Sequence, residues 1–245
     1  MSLLNKFRGG PIREPSPEAP RGLRAGAAAP LHAPPSAPVP GHQARPGRFS
    51  NGLKEFLWQL EDIGRGRLLD LGQVSQATLN FFIERGFKVY TEDVLGSWRE
   101  FLRGEEERAR LLPVGAQAPD PSLDARADRF LASNLSHEPD SFDAVLLWDV
   151  LDYLDRETVA RLMDRLSRVV RDGGAILAIF NTRIPEQFHR YRVLDALNLD
   201  LVSAPLIVQP QRIYQNREIQ DLFARFRASK TFVGRDHLRE TVFVK

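Results

Sequence analysis

The passage from Arg67 to Phe82 constrains the fold more than any other. An apolar run opening at Arg67-Leu68-Leu69-Asp70-Leu71 stops abruptly at Gly72. A polar turn follows, and then a helix-like pattern that ends at Gly86. This is strand, tight turn, helix. The start of a helix carries unpaired N–H groups and the positive end of the helix dipole, so such turns receive nucleotides and other polar ligands. The next strand-like run, Phe87 to Thr91, closes on Glu92-Asp93, about twenty residues past Gly72. A carboxylate at that spacing can accept hydrogen bonds from both hydroxyls of a ribose.

The rest of the chain repeats the alternation. Leu53, Phe56, Leu57, Leu60 and Ile63 lie on one helical face, with Ser50 or Asn51 as the cap. A short helix is expected over 97–103. Residues 104–127 admit some helix, but the turn Pro119-Asp120-Pro121 argues for a loop before the next strand, and Arg129 to Ala132 reads as a short strand. Phe142 to Trp148, apolar apart from Asp143, suits a strand covered on both faces of a parallel sheet. Asp155 caps a helix with Val159, Leu162, Met163, Leu166, Val169 and Val170 on its apolar face, and Gly173-Gly174 is the expected stop. Ala175 to Phe180 is a further buried strand, and Pro185 opens an expected helix to about Asn198. Residues 199–215 read as an insertion, and Arg217 to Phe226 as helical. Lys230–Val233 and Glu240–Val244 read as closing strands too close in sequence for a helical crossover, hence antiparallel. The expectation is α/β: a doubly wound, mainly parallel seven-stranded sheet with an antiparallel C-terminal strand.

Composition narrows the function classes. With no cysteine there are no disulfides, zinc thiolates or cysteine nucleophiles. No stretch reaches the length of a membrane span, and the N-terminus has no signal-like apolar run, so a cytoplasmic location is expected. Residues 1–48 hold ten of the 17 prolines and an excess of five basic residues, without apolar periodicity. Such a segment reads as a disordered Pro/Ala-rich tail, followed by one domain over 49–245. That domain carries 27 basic and 30 acidic residues, which gives no strong nucleic-acid signal.

These residues resemble the class I S-adenosylmethionine-dependent methyltransferases over about 53–245. Leu68-Leu69-Asp70-Leu71-Gly72 is similar to the start of the family's first motif. Glu92 is similar to its ribose-binding acid, and Asn134-Leu135 to its adenine-side pair. Phe142-Asp143-Ala144-Val145 and Trp148-Asp149-Val150-Leu151-Asp152-Tyr153-Leu154 resemble its fourth strand and exit loop, and Arg171-Asp172-Gly173-Gly174-Ala175 the turn before its fifth strand. The resemblance implies S-adenosylmethionine as cofactor, bound by Asp70, Gly72, Ser75, Glu92, Asn134, Leu135 and Trp148. It also implies a small-molecule or protein methyl acceptor. One departure stands out: the motif's second and third glycines are Val74 and Gln76. Glycine there admits a ligand where a Cβ would intrude, with Ser75 and Thr78 left as caps or donors.

Methyl transfer asks the protein mainly to position the acceptor and, for a poor nucleophile, to take a proton. Asp149, Tyr153, His189 and Tyr214 are the candidate bases. The histidines offer no i, i+4 metal-ligand pair. The alternative to an enzyme is a catalytically inactive methyltransferase-like binding or scaffold protein, supported by the altered glycines. A nicotinamide dehydrogenase fits less well, because Gly-x-Gly-x-x-Gly is absent.

Overall fold

The computed structural model describes residues 47–113, 115–205 and 208–245. The proposed tail therefore lies outside the described residues up to position 46. In chain order the strands are β1 (Arg48–Phe49), β2 (Gly66–Asp70), β3 (Phe87–Thr91), β4 (Phe142–Trp148), β5 (Val170–Asn181), β6 (Phe188–Val193), β7 (Asn198–Ala204), β8 (Arg227–Val233) and β9 (Leu238–Val244). The helices are α1 (Asn51–Gln59), α2 (Gln76–Ile83), α3 (Val94–Leu111), α4 (Leu123–Ala132), α5 (Arg156–Val169) and α6 (Asn216–Leu222), with a 3-10 turn at Val150–Tyr153.

The main sheet runs β3-β2-β4-β5-β9-β8. Strands β3, β2, β4 and β5 are parallel, β9 is antiparallel to β5, and β8 is antiparallel to β9. A separate sheet, β1-β7-β6, is antiparallel throughout. Every residue of β4 is buried, as its apolar run requires. Val145 and Leu147 face the core formed with α3, α4 and α5, while Ala144, Leu146 and Trp148 face the core formed with α1, α2 and β6. Asp143, the exception in that run, accepts the Arg67 N–H at 2.6 Å and pairs with Arg171.

The main sheet has six strands, not the seven expected. The segment Arg129–Ala132, read as a strand, is the end of α4. Its helix is set by the Ser122 cap, which accepts from the Ala125 N–H, and by Ala127, Phe130 and Leu131 on one buried face. The helix expected after Pro185 is strand β6. Phe188, Tyr191 and Val193 are its buried positions, and the polar turn Asp195–Asn198 folds the chain back into β7, which takes the first part of the expected insertion. Helix α3 starts earlier than read, because Asp93 rather than Ser97 caps it, accepting from the Gly96 N–H at 2.9 Å. Helix α5 ends at Val169 and β5 begins at once, so Gly173-Gly174 lies inside the strand, with Gly173 at φ 79°.

Candidate functional site

The chain leaves β2 toward β3 on one side and later returns to β4 on the other, so the sheet's topological switch point lies between β2 and β4. Open α/β sheets bind ligands outside the carboxyl ends of the strands at such a point. Here Asp70 ends β2, Gly72 makes the turn, and Ser75 caps α2 by accepting from the Thr78 N–H. Asp70 is buried, and its Oδ1 accepts the Gly72 N–H at 3.0 Å and the Trp148 indole N–H at 2.7 Å. Burial pushes its carboxyl up to about 6, and these two neutral donors only partly offset that. Val74, at the motif's second glycine position, is 63% exposed, so its side chain is turned out of the turn. Gln76 donates to Asn80 within α2, and the Thr78 hydroxyl accepts the Val193 N–H, tying α2 to β6.

Glu92 follows β3 directly, and its N–H donates to the Asp70 carbonyl at 2.8 Å. The two features that are far apart in sequence thus sit on adjacent strand ends. Its carboxylate is engaged within the protein: Oε2 accepts the Leu135 N–H at 3.0 Å, and Oε1 lies 2.6 Å from Nε2 of His137. Leu135 stands at φ 55°, which aims that N–H, while the Asn134 amide donates back to Phe130 at the end of α4. The structure therefore joins Asp70, Gly72 and Trp148 in one contact set and Glu92 and Leu135 in another. Ser75 is a helix cap and Asn134 closes α4. Sequence reasoning missed His137 and Tyr191. Only a histidine two residues after Leu135 could have signalled the first; nothing in the pattern signalled the second.

Tyr191, from β6, stacks on Trp148 with centroids 5.1 Å apart and planes 6° apart. Its hydroxyl donates to Asp149 at 3.2 Å. Asp149, Asp152 and Asn181 form a buried set at the ends of β4 and β5. The Asn181 amide donates to Asp152 at 2.9 Å and Asp149 at 3.3 Å, and its backbone N–H donates to Asp152 at 2.7 Å. Burial raises Asp149 to about 6 and raises Asp152 as well. Among the described residues the other Asp152 oxygen and the Tyr153 hydroxyl are buried without a hydrogen-bond partner. Burial pushes Tyr153 upward and Tyr214 up to about 12, and both are enclosed in the core. Of the candidate bases, His189 lines an open cavity of about 410 Å³ together with Asn181, Arg183, Glu186, Gln187 and His237. Burial holds its imidazole below the ordinary value, toward the neutral form. Among the described residues no His, Asp or Glu group is arranged to hold a metal ion, and no helix is long and apolar enough to cross a membrane.

A mainly parallel sheet closed by an antiparallel pair, with a glycine turn at the switch point and an acid after the next strand, is the arrangement expected from the resemblance to class I methyltransferases. Residues 69–178, a little under half of the 245-residue chain, match the family model of a methyltransferase domain. The chain is similar to 1,6-didemethyltoxoflavin-N1-methyltransferase of Burkholderia thailandensis, solved with 1,6-didemethyltoxoflavin and S-adenosylhomocysteine. Identity is 17%, covering 80% of this chain and 78% of that one, with a TM-score of 0.44. It is also similar to an S-adenosylmethionine-dependent methyltransferase of Mesorhizobium loti, with 16% identity, 78% and 96% coverage, and a TM-score of 0.45. No curated protein matches it.

Proposed function

We propose that the protein transfers a methyl group from S-adenosylmethionine, bound across the carboxyl ends of β2, β3 and β4, to a small polar acceptor. The observation that carries the proposal is the placement of Gly72 and Glu92 on neighbouring strand ends at the switch point, joined by the Glu92 to Asp70 backbone bond. The donor set fits the cofactor in kind: a carboxylate for the ribose hydroxyls, a glycine turn for the amino-acid end, and Leu135 beside the base. Bound there, the cofactor supplies a methyl group activated by its sulfonium. Glu92 would hold the ribose through Oε1, in place of His137, and through Oε2, which also accepts the Leu135 N–H. The cavity lined by Asn181 and His189 is the acceptor side in this reading, since Asn181 and Tyr191 both donate to the Asp149 carboxylate beside Trp148. His189, kept neutral by burial, is the proton acceptor there.

Calorimetric titration with S-adenosylmethionine and S-adenosylhomocysteine tests the binding half. Charge-assisted hydrogen bonds are worth roughly 1.5–3 kcal/mol, so Glu92→Ala is expected to weaken binding at least about tenfold. Equal affinity in wild type and Glu92→Ala would remove the carboxylate from the site. A second reading, a non-catalytic binding or scaffold protein, draws on Val74 and Gln76 in place of the motif's glycines. It gains the field if neither ligand binds at millimolar concentration.

A further inference from the structure

Trp148 sits at the site in a way that an ordinary core side chain does not require. The β4–β5 register slips between Leu146 and Trp148, so two steps on β4 match one on β5. This is a bulge, a device that re-aims a side chain near a site. Just past it Trp148 takes φ 51°, a left-handed conformation uncommon for a bulky residue. The two distortions place the indole across Gly72. A Cβ built on Gly72 would lie 2.6 Å from Cδ1 and 2.8 Å from Nε1 of the indole, so the space glycine leaves open is taken by this ring. The ring is anchored on its edge by Asp70 and on its face by Tyr191, and it is 3% exposed. Strain at a bulge, a hydrogen bond to the turn's acid and contact with the turn's glycine converge on one side chain.

Resting on the cofactor-binding reading above, we infer that Trp148 is an internal occupant of the cofactor site and sets its affinity, because a ligand approaching Gly72 must displace the indole from Asp70 and Tyr191. The same reasoning accounts for Asp70. Its partners are neutral donors, and a cationic ligand group would compensate the buried carboxylate better than the indole N–H does.

The test compares S-adenosylhomocysteine binding by calorimetry in wild type, Trp148→Gly and Trp148→Phe, each checked for folding by circular dichroism. Glycine accepts the left-handed backbone and empties the space; phenylalanine keeps much of the bulk and loses the anchor to Asp70. Trp148→Gly is expected to bind at least about tenfold more tightly than wild type, with Trp148→Phe between them. If Trp148→Gly does not fold, a Trp58→Phe variant gives a second readout. It removes the exposed indole and leaves Trp98 and Trp148, both buried. S-adenosylhomocysteine is then expected to increase acrylamide quenching as the Trp148 indole is released. Binding by wild type that Trp148→Gly does not improve, or binding that leaves quenching unchanged, overturns the inference and leaves the cofactor reading standing. No binding by any variant overturns both.

Discussion

The buried carboxylates make the protein's stability depend on pH in a direction opposite to ordinary acid denaturation. Asp70 and Asp149 each rise from an ordinary 3.8 to about 6, in both cases chiefly through burial. The folded state therefore binds a proton more tightly than the unfolded chain. Their contribution is fully present below about pH 4 and is lost as pH rises through about 6. A shift of this size corresponds to roughly 3 kcal/mol per group across the whole window, at 1.36 kcal/mol per unit. Between about pH 7.5 and about pH 5 the linkage returns on the order of 1 kcal/mol for each, about 2–3 kcal/mol for the pair. Asp152, also raised, adds in the same sense. His189, held below 6.5 by burial, offsets part of the gain because it charges less readily when folded. Urea unfolding at the two pH values is expected to give a higher midpoint at the lower one, with the slope m unchanged. Asp149→Asn, which cannot ionise, is expected to flatten the dependence by about half. A midpoint that falls on acidification to pH 5, or a dependence that Asp149→Asn leaves intact, would refute the assignment of these carboxyls.

Two further substitutions test how the site is framed. Glu240 is buried and accepts from the Ser50 hydroxyl at 2.9 Å and the Gly52 N–H at 2.5 Å while pairing with Arg48, so it ties the start of α1 to β9. Glu240→Ala leaves these donors unmet and is expected to cost about 3–5 kcal/mol in chemical denaturation; a loss under about 1 kcal/mol would mean that water replaces the carboxylate. Gly72→Ala forces its Cβ against the indole and is expected to destabilise by about 1–3 kcal/mol; in a Trp148→Gly background the same change should cost little further, and an undiminished cost there would place the strain elsewhere.

The parallel strands were legible in the sequence because burial on both faces leaves a signature that few other structures share. Phe142–Trp148 and Ala175–Phe180 are nearly unbroken apolar runs, and the turn at Gly72 and the acid at Glu92 mark the ends of β2 and β3. Antiparallel pairing of the closing strands followed from the shortness of their connection. The misread elements share a cause: their patterns are short and half-buried. Arg129–Ala132 has only two buried residues in its span, Phe130 and Leu131, and the face that makes it helical includes Ala127, two residues before it. Around Pro185 local chemistry admits a helix, and pairing of β6 with β7 decides otherwise. Propensity over six residues does not contain that long-range information.

The candidate site divides along the same line. The placement of Asp70, Gly72 and Glu92 at adjacent strand ends was legible because it follows from spacing along the chain. What occupies their hydrogen bonds was not, because it depends on rotations no linear pattern records. Trp148 reads as one more apolar residue at the end of a strand. Only the bulge and the left-handed turn convert it from a wall of the core into a ring laid over Gly72. Tyr191 comes from a strand in the other sheet, 43 positions away, and reaches the indole through β6. His137 reaches Glu92 across the end of α4, in a segment whose secondary structure had been misread. The altered glycines belong to the same account. With Val74 turned outward and the indole against Gly72, the turn needs no glycine at 74 to keep its present shape. The loss of that glycine is thus compatible with a turn whose closest neighbour is the protein's own side chain.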